Sequence, residues 1–309
     1  MSKVGPDPGS AADGAGASLS TVVRVRSLLP SLPPAEARVA QRVIDDPEAV
    51  AASTITELAQ ACGTSETTVI RFCRAIGFAG YPELRLTLAT EAGRAQGVTG
   101  GRVVGSDISV DDTLQQVVEK IAFADARAVE ETANQLDIEA LERVVQAIVD
   151  ARRVDIYGVA ASAFVALDFQ QKLHRIGRTS YGWSDAHIML TSAAVLEPGD
   201  VAVGISHTGT TVDTIDALGV AKRRGATTVA LTNFPRSPIA EVADYVLTTA
   251  ARETTFRSGA TASRLAQLTV VDCVFVGVAQ RTYEPTREHL EATRDAVRVR
   301  RVGPDRRRR

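Results

Sequence analysis

The spacing of hydrophobic positions changes once along the chain. Between about residues 20 and 95, apolar side chains recur at intervals of three and four, which predicts short helices and no strand. From about residue 152 onward, short β-branched runs alternate with stretches of helical spacing; the runs are RVDIYGV, TSYGW, VAVGIS, TTVALT and DYVLTT. Such alternation is typical of a parallel sheet with helical crossovers. The pattern therefore predicts an all-α part followed by an α/β part.

Helices are also predicted between and after these parts. The stretch from about 111 to 134 has the spacing of one long helix, and Asp137 is placed to cap the next helix, IEALERVVQAIVDA. A last helix is predicted at about 285 to 297. The first residues are rich in Gly, Ala, Ser and Pro, which predicts disorder. The predicted divisions are a disordered lead 1–19, a first domain 20–96, a helical linker 97–136, a second domain 137–282, and a helix with an arginine-rich tail 283–309.

The first predicted domain contains two short helices joined through a glycine. In ITELAQACGTSETTVIRFCRAIGF, positions 55, 58, 59 and 62 form one apolar helix face, and positions 69, 72, 73 and 76 form another. Ser53 or Thr54 can cap the first helix and Ser65 the second, while Gly63 stands where a tight turn needs a positive φ. Two short helices that cross through such a turn form a helix-turn-helix.

The amino end of the second helix is the part of this motif that reaches base edges in the DNA major groove. The candidates for contacts to DNA are Ser65, Thr67, Thr68, Arg71 and Arg74. An ordinary helical bundle with a solvated face is the alternative, because residues 20–96 carry eight basic and eight acidic side chains. The basic side chains near the second helix are separated from an earlier acidic cluster, and this segregation favours DNA binding.

Composition adds few constraints to this picture. A net charge of −2 and a hydrophobic fraction of 45% are ordinary for a soluble globular protein, so any DNA contact depends on a local patch. Cys62, Cys73 and Cys273 show no metal-ligand spacing and are predicted to be small, reduced, buried residues of a cytoplasmic protein. No apolar run reaches about 18 residues, so no membrane span is predicted. Neither a metal nor a cofactor is expected.

Two predicted strands of the α/β part end in loops that carry hydroxyl side chains. The first strand breaks at Gly158 and leads into a helix that opens near Ser162. The third strand runs into VGISHTGTT, residues 203–211, whose hydroxyl groups precede another helix. Unpaired N–H groups and partial positive charge at helix N-termini favour an anion at both loops. Gly209 lacks the Cβ that would block the approach of a phosphate.

Other chemistries fit these loops less well. The hydrolase motif G-x-S-x-G would need glycine where Thr208 stands, and the only histidine after His207 is His289. The first loop lacks the G-x-G-x-x-G spacing of a dinucleotide site, which argues against a nicotinamide cofactor. A nucleotide-triphosphate loop would need Gly-Lys-Ser/Thr, which the chain does not have at this position.

At these segments the sequence resembles the RpiR-type bacterial transcriptional regulators, over about residues 20–280. The resemblance rests on ELAQACGTSETTVIRFCRAIGFAGYPELR, IYGVAASAFVALDFQQKLHRIG and DVAVGISHTGTTVDTIDALGVAKRRGATTVALTN, with SPIAEVADYVLTTA and RETTFRSGATASRLAQLTVVD after them. It implies a helix-turn-helix domain joined to a sugar isomerase (SIS) domain. The implied SIS fold is a three-layer α/β/α sandwich around a five-stranded parallel sheet.

The resemblance also implies a phosphorylated sugar as the ligand. Its binding residues would be Ser162 from the first loop, Ser206, Thr208 and Thr211 from the second, and Glu253 near the sugar. His207 and Gly209 of the second loop are further candidates for the ligand site. The family loop more often reads Ser-His-Ser-Gly-x-Thr. Here a threonine stands at position 208, which keeps the hydroxyl and adds a methyl group. Thr208 is therefore still expected to bind the phosphate, while the added methyl group changes how the ligand fits.

We expect a cytoplasmic transcriptional regulator of carbohydrate-metabolism genes, with no catalytic residue. It would bind double-stranded DNA at a palindromic operator as a homodimer or homotetramer and would sense a sugar phosphate. The alternative is a sugar-phosphate isomerase, because SIS domains also occur in such enzymes. Aldose–ketose conversion needs a base near neutral pH, and Glu253 with His174 or His187 could supply one. The attached helix-turn-helix favours sensing over turnover.

Overall fold

The computed structural model of the protein describes residues 20–96, 107–253, 262–298 and 300. The predicted disordered lead, the first ten residues of the predicted linker and the arginine-rich end from 301 onward lie outside these residues. Within the described part, no helix is long and apolar enough to cross a membrane.

The all-α part consists of short helices, as predicted, and they pack together. Its elements are α1 Thr21–Leu28, a short 3-10 turn Leu29–Ser31, α2 Pro34–Asp45, α3 Pro47–Ala52, α4 Ile55–Ala61, α5 Glu66–Ala75 and α6 Tyr81–Gln96. Their apolar faces meet in one buried core, at whose centre Val69, Phe72 and Leu84 are fully buried. The predicted inner face of α5 is therefore confirmed.

The predicted helix-turn-helix is α4 and α5. The hydroxyl of Thr54 caps α4 by accepting from the backbone N–H of Glu57 at 3.3 Å. Ser65 caps α5 in the same way, accepting from the N–H of Thr68 at 3.3 Å. Between them Gly63 has φ +57°, a conformation that glycine adopts without the steric cost of a Cβ. The caps and the turn follow from the local sequence, and both predictions are confirmed.

The rest of the described chain builds the α/β part. Asp137 caps α8, as predicted, by accepting from the N–H of Ala140 at 3.0 Å. The elements are α7 Leu114–Gln135, α8 Ile138–Asp150, β1 Val154–Gly158, α9 Ala161–Arg175, β2 Ser180–Trp183, α10 Ala186–Ala193, β3 Val201–Ile205, α11 Val212–Arg223, β4 Thr227–Thr232, α12 Pro238–Val242, β5 Tyr245–Thr248, α13 Ala262–Arg281 and α14 Tyr283–Arg298.

The five strands pair in parallel in the order β2-β1-β3-β4-β5. Side chains of α8, α9 and α13 pack on one face of the sheet, and those of α10, α11 and α12 pack on the other. The predicted three-layer α/β/α sandwich is thus confirmed. Since the chain leaves β1 toward β2 and then returns to place β3 on the other side of β1, the sheet has a topological switch point between β1 and β3. Ligands of open α/β sheets bind outside the carboxyl ends of the strands at such a point.

A buried carboxylate on β1 joins three elements of the sandwich. The Asp155 side chain is fully buried and accepts from Nε and Nη2 of Arg153 at 2.6 and 2.9 Å. It also accepts from Trp183 Nε1 of β2 at 2.9 Å and from Ser192 Oγ of α10 at 2.5 Å. The Tyr157 hydroxyl lies 3.4 Å from the same carboxylate, and burial raises the pKa of this phenol well above its ordinary value. The hydrophobic pattern of the strand did not indicate this polar cluster.

The prediction of three buried cysteines is wrong for one of them. Cys62 and Cys73 are buried in the helical bundle, whereas Cys273 is exposed. Val271 and Val274 of α13 face the core, and position 273 points well away from both at about 100° per residue. Position 273 therefore falls on the outer side of the helix. Burial raises the pKa of the Cys73 thiol to about 12.

Candidate functional site

The two hydroxyl-bearing loops meet at the switch point of the sheet. Gly158 at the end of β1 is paired in register with Ile205 at the end of β3, so the loops that follow these strands begin side by side. Ser162 lies in the first turn of α9 and Ser206 directly follows β3. Both serines are buried, with 8% and 2% of their surface exposed. Hydrogen bonds from Ser162 N to Val159 O and from Ala163 N to Ala160 O already engage N–H groups that were expected to be free for an anion.

The second loop is organised by its own hydroxyl groups. Ser206 Oγ accepts from the backbone N–H of Gly209 at 3.1 Å and lies 3.0 Å from Thr211 Oγ1. Thr208 Oγ1 accepts from the N–H and the hydroxyl of Thr210, at 3.3 and 2.8 Å. Thr211 is the N-cap of α11, yet its hydroxyl makes no capping bond to the helix. The loop therefore holds hydroxyl and N–H donors together at the start of a helix, where an anion is favoured.

The structure gives Gly209 a different role from the one expected. Its φ is +68°, and a Cβ built on it would stand 2.0 Å from Ser237 Oγ and 2.4 Å from Ser237 Cβ. The carbonyl of Gly209 also accepts from the N–H of Ile239 in α12 at 3.0 Å. A side chain at position 209 would thus collide with the segment that leads into α12. Close packing of the protein on itself requires this glycine, whether or not a ligand is bound.

His207 lies between the loop and the neighbouring strand end. Its carbonyl accepts from Asn233 N at 3.0 Å and from Thr232 Oγ1 at 3.2 Å. Its ring meets the Phe234 ring edge-on, with 5.7 Å between centroids, and its buried Nδ1 has no hydrogen-bond partner among the described residues. Burial lowers the pKa of His207 below its ordinary value, and the Glu253 carboxylate opposes that shift. The imidazole is therefore neutral near pH 7, and the carboxylate that acts on it is that of Glu253.

Glu253 reaches the site from the segment after β5. Its carboxylate accepts from the hydroxyl of Ser263, which is fully buried at the start of α13, at 2.5 Å. Its charge opposes the lowering of the His207 pKa, so the two predicted residues are close enough to interact electrostatically. Ser206, Thr211, His207 and Glu253 thus belong to the same edge of the sheet.

Two residues of this edge were missed by the sequence reasoning. Asn233 is buried after β4, and its Oδ1 accepts from Ala251 N at 2.8 Å and from Thr249 Oγ1 at 3.1 Å. A polar residue directly after a buried strand is a signal that could have identified it. Ala160, just before α9, has φ +52° and ψ −120°, a region that costs a residue with a Cβ about 1–3 kcal/mol. Alanine gives no sequence signal for that conformation.

The candidates for DNA contact lie along one exposed side of α5. Thr67, Arg71 and Arg74 are exposed, and Ser65 is exposed at the N-cap. Thr68 is half-buried, and its hydroxyl lies 3.0 Å from Ser65 Oγ. The outward side of the helix therefore presents two arginines and a threonine, while two of the hydroxyl groups interact at its amino end.

Comparison with known proteins relates both halves of the chain to one family. Residues 19–94 match the helix-turn-helix domain of the rpiR family, and residues 147–277 match the SIS domain. An HTH-type transcriptional regulator of Caldanaerobacter subterraneus subsp. tengcongensis is 39% identical over 278 residues, which are 90% of this chain and 97% of that protein. The chain belongs to the RpiR family of transcriptional regulators. The RpiR regulator of Escherichia coli is 31% identical over 258 residues, 84% of this chain and 86% of that protein.

A solved structure matches the chain over both of its domains. NanR of Vibrio vulnificus, in complex with ManNAc-6P, matches with a TM-score of 0.58 and 27% identity, over 92% of this chain and 100% of that chain. The likeness covers the helix-turn-helix and the SIS domain together. In this RpiR-family protein, the strand-end loops described above belong to the SIS domain, and α4 and α5 belong to the helix-turn-helix domain.

Proposed function

We propose that this RpiR-family regulator senses a phosphorylated sugar at the carboxyl edge of its SIS sheet and controls carbohydrate-metabolism genes. The observation that carries the proposal is the loop of residues 206–211, whose hydroxyl and N–H donors lie before α11 at the switch point of the sheet. A phosphate oxygen would replace Ser206 Oγ as the acceptor for the Gly209 N–H. The phosphate would also accept a hydrogen bond from the Thr211 hydroxyl. Ser162 and Thr208 complete the phosphate side, with His207 and Glu253 toward the sugar.

On the DNA side, the proposal assigns contacts with an operator to the exposed face of α5. A two-fold dimer, or a pair of such dimers, would present paired α5 helices to a palindromic site, since the spacing of half-sites reflects the symmetry of the protein. Binding of the sugar phosphate would change the relative position of those helices. The complex of NanR with ManNAc-6P supports a phosphorylated sugar as the chemical class of the effector.

The domain architecture favours sensing over isomerisation. His174 is in the last turn of α9, about 20 Å along that helix from its start beside the sheet edge, at a rise of about 1.5 Å per residue. It cannot work together with Glu253. The SIS domain of this chain is joined to a helix-turn-helix domain, as in the transcriptional regulators to which the chain is similar, and this supports sensing. Incubation with aldose and ketose phosphates is expected to give no interconversion, and multiple turnovers per protein molecule would contradict this assignment.

A thermal-shift titration tests the ligand site. Sugar phosphates such as ManNAc-6P and fructose 6-phosphate are expected to raise the Tm of the full-length protein, because a ligand that binds only the folded state stabilises it. Thr211→Val should weaken that binding about tenfold or more, since a hydrogen bond to a charged group contributes about 1.5–3 kcal/mol. The helix start should tolerate the change, because the Thr211 hydroxyl makes no capping bond.

Thr227→Val is the matched control for this titration. It makes the same change of side chain at the first residue of β4, at the amino ends of the strands and away from the loop of residues 206–211. It should leave binding unchanged. If no phosphorylated sugar shifted the Tm, or if both variants weakened binding equally, the assignment of the phosphate loop would be wrong.

Arg71→Ala tests the DNA-reading face. The test uses a genomic fragment that the wild-type protein selects. The variant is expected to bind this fragment about tenfold or more weakly, because it loses one contact to a base or a phosphate. If the contact is to a phosphate, the slope of log K against log salt should fall by about 0.9. Arg287→Ala removes the same charge from exposed α14 and should bind like the wild type. Equal affinities for all three proteins would show that α5 does not read DNA through Arg71.

A further inference from the structure

We propose that a continuous path of hydrogen bonds and one ion pair couples the phosphate loop to the helix-turn-helix, with Glu131 and Thr132 of α7 as its central link. This coupling path consists of His207, Asn233, Ala251, Ala250, Thr132, Glu131 and Arg26. The inference rests on the proposed function, because it describes how occupancy of the sugar-phosphate site reaches α5.

The path begins inside the candidate site. Asn233 N donates to the His207 carbonyl at 3.0 Å, and Asn233 Oδ1 accepts from Ala251 N at 2.8 Å. Asn233 is 2% exposed and Ala251 is also 2% exposed, so water does not compete for these bonds. A shift of the phosphate loop therefore displaces the segment after β5 through one buried amide side chain.

The middle of the path joins that segment to α7. Ala250 N donates to Thr132 Oγ1 at 3.0 Å, across 118 residues of sequence, and Thr132 is fully buried. Ala128, Ala251 and Ala266 pack together beside this bond, and their small side chains let the three backbones approach closely. Arg252, the next residue along, is paired with Asp107 at 3.4 Å, ahead of α7. Residues 250–252 are thus fixed to the segment that leads out of the helix-turn-helix domain.

At its far end the path crosses into the helix-turn-helix domain. Glu131, adjacent to Thr132, lies 2.6 Å from Arg127 of the same helix and 3.7 Å from Arg26 of α1. Arg26 is largely buried, with 19% of its side chain exposed, and its Nε has no hydrogen-bond partner among the described residues. Burial lowers the pKa of Arg26, Glu131 opposes this, and the positive charges of Arg252 and Arg127 add to the lowering. Glu131 is therefore the carboxylate that holds Arg26 in place.

From α1 the contact continues to the DNA-reading helix. Arg24, two residues before Arg26, donates from Nη1 to the carbonyl of Ile76 at 3.4 Å, and Ile76 is the C-cap of α5. The Arg24 guanidinium also lies over the Phe78 ring, 5.5 Å from its centroid. A movement of α1 against α7 thus acts on the carboxyl end of α5.

A charge argument gives the path a direction. A phosphate dianion in the loop would add negative charge near the Glu253 carboxylate, which affects His207 electrostatically and follows the segment that carries Ala250 and Ala251. On this proposal the strain reaches Thr132 through that segment, and the ion pair between Glu131 and Arg26 carries the change to α1. Coupling of this kind between two sites changes affinities by about 5- to 150-fold.

Hydrogen exchange of the full-length protein tests the path without any ligand. Asn233→Ala is expected to raise the exchange rate of α1 amides about fivefold, and Glu131→Gln should remove that response in the double variant. Glu130→Gln, which neutralises the exposed neighbouring position, should leave the response intact. Asn233→Ala removes the acceptor for Ala251 N and Thr249 Oγ1, so if it raised exchange in that segment and left the exchange of α1 unchanged, the path would be refuted.

Thr132→Val is a second test of the coupling path, for use if Asn233→Ala does not fold. It removes the acceptor for Ala250 N with little change of shape, and it should raise exchange about fivefold both in residues 203–211 and in α1. Protected β1 amides in the same spectra establish that the SIS core is intact. An increase confined to one side of Thr132 would contradict the coupling.

A second arm of the experiment adds inorganic phosphate or ManNAc-6P to the wild type and to Glu131→Gln. Both proteins should become protected at residues 203–211, whereas only the wild type should change in α1. Absence of protection at 203–211 would count against the proposed ligand site. The coupling path would still be tested by the exchange measurements on the variants without ligand. Protection of the loop with an equal response of α1 in both proteins would refute the role of Glu131.

Discussion

Gly209→Ala is expected to destabilise the SIS domain by about 2–5 kcal/mol and to abolish sugar-phosphate binding, because two costs combine at this position. The φ of +68° is unfavourable for alanine, and the new Cβ would stand 2.4 Å from Ser237 Cβ. Either the loop of residues 206–211 or the start of α12 must move, and the donors Gly209 N–H and Thr211 Oγ1 then lose their arrangement. Urea unfolding gives the change in stability, and calorimetry with ManNAc-6P gives the change in binding.

Gly199→Ala separates these two costs. Gly199 has φ +90°, but nothing lies within 4 Å of a Cβ built on it, so this variant should lose only the backbone contribution, about 1 kcal/mol. Adding Ser237→Gly to Gly209→Ala removes both atoms nearest the new Cβ and should recover part of the lost stability. Equal losses for Gly199→Ala and Gly209→Ala would show that contact with Ser237 is unimportant.

Asp155→Ala is expected to destabilise the SIS domain by about 3–5 kcal/mol, the usual cost of removing one partner of a buried ion pair. The variant leaves Arg153, Trp183 Nε1 and Ser192 Oγ without their common acceptor in the interior of the sandwich. It also removes the side-chain hydrogen bonds that join Trp183 of β2 and Ser192 of α10 to β1. The midpoint of urea unfolding, measured by tryptophan fluorescence, reports this directly, because Trp183 is the single tryptophan of the chain.

Asp216→Ala is the control for that measurement, since Asp216 is an exposed carboxylate on α11. It should change the stability by less than about 0.5 kcal/mol, as exposed substitutions usually do. If Asp155→Ala were equally mild, Asp155 would be dispensable and the apolar contacts between the layers would hold β1, β2 and α10 together without it.

Local patterns in the sequence account for much of the fold. The caps at Thr54, Ser65 and Asp137 were predicted because each acts on residues within one helical turn. The strands were predicted because a sheet covered on both faces needs continuous β-branched runs. The exposed Cys273 was mispredicted because a residue type that is usually buried says nothing about which side of α13 it occupies.

The site was predicted less completely, for a physical reason. Ser206 and Thr211 lie in one short loop and are predicted site residues from that loop alone. Ser237, which excludes a side chain at position 209, and Asn233, which connects the loop to Ala251, are brought near by strand order and register. These contacts are non-local, so neither hydrophobic spacing nor motif length indicates them.

The hydrogen bond between Ala250 and Thr132 also has a consequence during synthesis. Its two residues are separated by 118 positions, so Ala250 is made about 6–24 s after Thr132 at about 5–20 residues per second. The helical bundle, whose contacts are more local, can fold in milliseconds or less once it has left the ribosome. The helix-turn-helix of a nascent chain can therefore be folded before Ala250, the partner of Thr132 in the SIS domain, has been synthesised.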